Sequence, residues 1–68
     1  MATPDHPATS RIRLELTAGH AWALAQFVKR IGFGEMRNNA VADDEAYAIR
    51  GAIGVLATAL RAAGYAPR

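Results

Sequence analysis

The chain has 68 residues, a formal net charge of +2 and no cysteine. These values confine it to one small domain, exclude disulfides and thiolate metal sites, and are too weakly basic to argue for nucleic acid alone. A chain of this size buries only about 60% of its unfolded surface, so oligomerisation is its usual way to add core.

Met1 to Ser10 holds two prolines, small polar residues and no periodicity, the pattern of a mobile tail. His6 stands there without companions for a metal site. The tail has no apolar run that reads as a signal peptide, and no later segment approaches the roughly 20 apolar residues of a membrane span. With cysteine also absent, a cytoplasmic location is expected. Arg11 to Thr17 then alternates strictly. Ile12, Leu14 and Leu16 point one way, while Arg11, Arg13, Glu15 and Thr17 point the other. Period 2 predicts a half-buried strand. A single strand leaves its amides unpaired, so it is expected to pair with its copy in a homodimer, or else to join a partner's sheet.

Thr17 can cap the following helix or end the strand. From Ala18 or Gly19 to Ile31 the apolar stripe is Ala21, Leu24, Phe27, Val28 and Ile31, with His20 at its edge. Gly32 suits a left-handed stop, and Phe33 is the hydrophobic residue expected after it. Trp22 falls off the stripe, beside Gln26 and Lys29. A tryptophan next to an amide and a cation has the composition of an interface anchor, so Trp22, Gln26 and Lys29 are the candidate partner-binding residues. Coverage by the second long helix, the tail or a second subunit is the structural alternative.

Gly34 to Ala42 reads as a connector, with one helical turn over Glu35 to Asn38 and with Met36 and Val41 tucked inward. The longest periodic stretch is Asp43 to Gly64. Ala46, Ile49, Ile53, Leu56, Leu60 and Ala63 form its core stripe, widened by Ala48, Ala52, Val55 and Ala59. A second face carries Gly51, Gly54 and Thr58. Glycine costs roughly 0.5–1 kcal/mol in a helix relative to alanine, so this face suits the close approach of another backbone. Gly51, Gly54 and Thr58 therefore join Ile12, Leu14 and Leu16 as the expected dimer interface. Asp43 is placed as the cap, Asp44 and Glu45 at the positive end of the dipole, and Gly64 as the stop. The expected fold class is α+β: residues 11–68 form one β-α-α domain, behind a tail at residues 1–10.

Catalytic chemistry is not legible. The two histidines lie in the tail and at a core edge, away from any serine nucleophile. Asp43, Asp44 and Glu45 point about 100° apart in succession and do not converge on a metal. The glycines form no phosphate-binding fingerprint. No enzyme activity, cofactor, metal or small-molecule substrate is expected.

The order strand, helix, turn, helix resembles the ribbon-helix-helix transcriptional regulators. That resemblance implies an antiparallel ribbon shared by a dimer, with Arg11, Arg13 and Glu15 reading the major groove. The connector after Gly32 is longer than that family's turn, and three carboxylates open the second long helix where those regulators hold phosphate. The segments at Leu24–Phe33, Asp44–Arg50 and Ala62–Arg68 also resemble small, mostly uncharacterised proteins of phages and prophages, among them inhibitors of host defence. The reading that follows is a non-catalytic, dimeric binding module that occupies a macromolecular partner, a protein. A ribbon-helix-helix DNA-binding regulator is the alternative, and a structural or assembly role the next.

Overall fold

In the computed structural model, which describes residues 8–68, three helices follow an extended N-terminal segment. They are α1 (Ala18–Arg30), α2 (Phe33–Asn38) and α3 (Asp43–Ala62). Both α1 and α2 pack against α3, which is the spine of the fold.

Among the described residues there is no strand, so the architecture is all-helical and not the α+β fold expected. Residues 11–17 do run extended, and their alternation survives. Arg13 and Glu15 meet on one side at 3.5 Å, whereas Ile12, Leu14 and Leu16 line an apolar groove. What is missing is a ladder. Alternation fixes which side chains share a side, but only a partner for the amides turns an extended segment into a strand. The antiparallel ribbon that the ribbon-helix-helix resemblance implies is shared by two chains, and the single chain offers only its extended half, without strand pairing among the described residues. Most of the expected tail, with His6, lies outside the described residues.

The helix ends follow local chemistry. Thr17 does cap α1: its side-chain oxygen accepts from the His20 amide at 3.1 Å. At the other end the chain leaves α1 through extended backbone at Ile31 (φ −64°, ψ 128°), so Gly32 supplies no left-handed stop. Gly32 instead precedes α2, and Phe33 is its first residue. The expected single turn thus starts two residues early. Asp43 is not the cap of α3; that position is Ala42, which has no side-chain bond to give. Arg37 draws Asp43 away to a side-chain pair. Glu45 does the capping from inside the helix, its carboxylate accepting from the Val41 amide at 2.7 Å. This is half of a capping box, displaced by one residue. Glu45→Ala is expected to cost about 1 kcal/mol, read as a lower urea midpoint at unchanged slope.

The core is thin. Its buried hydrophobic residues are Ala21, Ala25, Val28, Met36, Ala46 and Leu60, half of them alanine. Alanines on α1 let it approach α3 closely, and Ala25, Val28 and Leu60 make one cluster with Leu24, Ile53, Leu56, Ala57 and Tyr65 around it. Phe27 and Val41, both expected inside, are 53% and 88% exposed. With only two layers of helix, α1 can bury one narrow stripe. Phe27 loses its place there to Ala25, whose small side chain suits the contact.

Candidate partner-binding surfaces

Trp22 sits on the outer edge of α1. It is partly covered, because the chain beyond α3 turns back and sets Tyr65 edge-on against it, with ring centroids 5.2 Å apart. Trp22 nonetheless stays 44% exposed. Gln26 is half-buried one turn on, and Lys29 is exposed beside a shallow recess that also involves Tyr65 and Pro67. The three residues therefore do share a side of α1, and the C-terminal segment forms its border.

A larger apolar surface lies elsewhere. Ile12, Leu14 and Leu16 face a groove whose floor is α3, at Ala52, Val55, Leu56 and Ala59. Its open volume is about 990 Å³, and none of the described residues that line it carries a charge. The side chains bordering it are strongly exposed, with Ile12 at 80% and Val55 at 73%. The widening residues of the α3 stripe thus cover no core within the chain. Helices that are apolar on most of their circumference are ordinarily buried.

Gly51, Gly54 and Thr58 lie on the other side of α3. A Cβ added to either glycine would meet no atom within 4 Å, so nothing in the chain makes a close approach there. Thr58 turns inward and donates to the Gly54 carbonyl at 3.0 Å. The dimer residues expected from sequence are therefore split between two faces, with Ile12, Leu14 and Leu16 apart from the glycines. Arg11, Arg13 and Glu15 are all exposed on the extended segment, with Arg13 occupied by Glu15.

One cluster was missed. Phe33 and Tyr47 stack at 5.0 Å between centroids with a 38° tilt, and the Arg50 guanidinium lies 6.0 Å from the Phe33 ring. Tyr47 and Arg50 sit three residues apart on α3, a spacing that could have paired them. Phe33 arrives only through the fold of the connector, for which no periodic signal exists. No group of three or more His, Cys, Asp or Glu among the described residues is placed to hold a metal ion.

Comparison adds one finding. A family model, described as a family of unknown function (DUF7706), matches residues 1–68. No curated protein and no solved structure matches the chain.

Proposed function

We propose that this chain, which belongs to the DUF7706 family, is a non-catalytic binding module that acts by occupying a protein partner. One observation carries the reading: many large apolar side chains lie outside the core. Among the described residues only three side chains larger than alanine are buried, while Trp22, Phe27, Phe33, Tyr47, Val55 and others stand in solvent. Large contiguous apolar patches on soluble chains mark interaction sites. Trp22, with Gln26 and Lys29 beside it, supplies an amphipathic anchor whose orientation Tyr65 fixes in advance. No helix among the described residues is long and apolar enough to cross a membrane. An accessory role of the phage or prophage kind, in the cytoplasm, fits the sequence resemblance and the lack of cysteine.

Affinity capture with the full chain, from lysate with and without nuclease, tests this reading when native protein and Trp22→Ala are compared. Capture of a protein that survives nuclease and is lost in the variant supports it. Retention of nucleic acid alone, abolished by nuclease, favours the DNA-binding alternative. The variant should remain folded. Its loss comprises an aromatic pair of about 0.5–1.5 kcal/mol and part of the apolar area, less than the about 3–5 kcal/mol of a fully buried tryptophan. A fall in the thermal midpoint of about 10 °C is expected, since 1 kcal/mol shifts a domain of this size by about 4–8 °C.

A further inference from the structure

We infer that the recess between α1 and the segment after α3 takes an acidic side chain of the protein partner, presented beside the apolar group that seats on Trp22. The inference rests on the binding-module reading and names the chemistry of that module's partner. Three observations carry it.

The first is charge. Lys29 of α1 and Arg61 of α3 line the same recess, together with Tyr65 and Pro67, and no Asp or Glu lines it. A cation in the last turn of a helix suits the dipole, which is reason enough for either residue alone. Two of them from different helices at one concavity make a positive site. Neither is neutralised among the described residues, whose ion pairs are Arg13–Glu15 and Arg37–Asp43. The flanking sequence does not offset them either, since residues 18–34 and 46–68 contain no Asp or Glu.

The second is size. The recess has an open volume of about 120 Å³, room for the head of one side chain. A nucleic-acid duplex carries a charge about every 1.7 Å of its axis and is held by rows of cations. Two cations on a chain of net charge +2 make no such row. A protein carboxylate comes singly and accepts from ammonium and guanidinium donors, which is what Lys29 and Arg61 offer.

The third is continuity with the anchor. Tyr65 lines the recess and also meets Trp22 edge-on, with ring centroids 5.2 Å apart. Lys29 lies seven positions beyond Trp22 on α1. That spacing is two turns, so the two residues share a side at about 10 Å along the axis. An extended segment of a partner covers this distance in about three residues at roughly 3.3 Å each. The partner motif is therefore an apolar residue with Asp or Glu about three positions away.

The probe is a short synthetic peptide with a leucine and, three positions to either side, a glutamate; its glutamine analogue is the control. Trp22 is the only tryptophan, so its emission reports binding to the full chain. The glutamate peptide is expected to bind on the order of tenfold more tightly than the glutamine analogue at low salt, with the difference shrinking as salt rises. Lys29→Gln/Arg61→Gln should remove that preference. Both side chains are exposed, so circular dichroism should show the helices of this variant intact. Lys29→Glu/Arg61→Glu should invert the preference toward a lysine analogue. Arg30→Gln, exposed but outside the recess, should leave it unchanged. No measurable binding, equal affinity for the glutamate and glutamine peptides, or an equal loss in Arg30→Gln overturns the inference. So does an oligothymidylate that binds through Lys29 and Arg61 more tightly than the glutamate peptide. Capture from lysate that depends on Trp22 but survives Lys29→Gln/Arg61→Gln would sink the acidic recess and leave the binding-module reading standing.

Discussion

Leu60→Ala should cost about 2–5 kcal/mol, the range for truncating a buried leucine, and so remove much of the stability of the domain. Leu60 is 7% exposed and sits where α3 meets Ala25 and Val28 of α1. In a rich core, neighbours can relax into the space. Here two of the closest neighbours are an alanine and a valine, and the outer layer is half-buried Leu24, Ile53 and Leu56. Little can move in, so the cavity term should be near its upper range. A domain of this length is worth about 3–10 kcal/mol at 0.05–0.15 kcal/mol per residue. Circular dichroism of Leu60→Ala is therefore expected to show substantial unfolding at 37 °C. Ile53→Ala, at a half-buried position, should cost less. A melting curve for Leu60→Ala within a few degrees of the native one would mean that the α1–α3 contact is not where the stability lies.

The same thin core explains what the sequence could and could not disclose. Helix α3 was readable from Asp43 to its stop because its stripe repeats for five turns and its ends carry distinctive residues. Ala46, Ile49, Ile53, Leu56 and Leu60 are indeed its covered side, whereas Ala63, expected on the same stripe, is exposed. Helix α1 was readable in extent, and Ala21 and Val28 are buried as its stripe implied, but Ala25 takes the place expected of Phe27. Hydrophobic periodicity weights large side chains, so it chose Phe27, whereas close helix packing chooses small ones.

The N-terminal segment shows the complementary limit. Arg11 to Thr17 has the alternation of a strand, and Ile12, Leu14 and Leu16 do share a side. A ladder, however, is a property of two segments, and the chain contains one. Trp22 lies between these cases. Its angle on α1 placed it off the core, but its partial cover comes from Tyr65, which only the reversal after α3 brings near. Contacts made by a turn leave no periodic trace.

That reversal depends on one backbone angle. Gly64, at φ +101°, is the only residue with positive φ among those described. It completes a six-residue closing motif: the Tyr65 amide donates to the Leu60 carbonyl at 2.9 Å, and the Gly64 amide to the Arg61 carbonyl at 2.9 Å. This Schellman arrangement needs a residue free of Cβ strain at its left-handed position. Gly64→Val puts a β-branched side chain there. No atom lies within 4 Å of the added Cβ, so the penalty is conformational and not a clash with a neighbour. It should amount to about 2 kcal/mol, from backbone strain of roughly 1–2 kcal/mol and partial loss of the closing hydrogen bonds. The consequence reaches α1. If residue 64 escapes to extended backbone, Tyr65 leaves both the half-buried layer around Leu60 and the ring of Trp22. Trp22 fluorescence in Gly64→Val should then shift to the red and become more accessible to acrylamide, together with a drop in thermal midpoint. Gly64→Asn, which tolerates left-handed backbone better, should recover part of both signals. A red shift of equal size in Gly64→Asn and Gly64→Val would show that the left-handed turn is not what holds Tyr65 against Trp22.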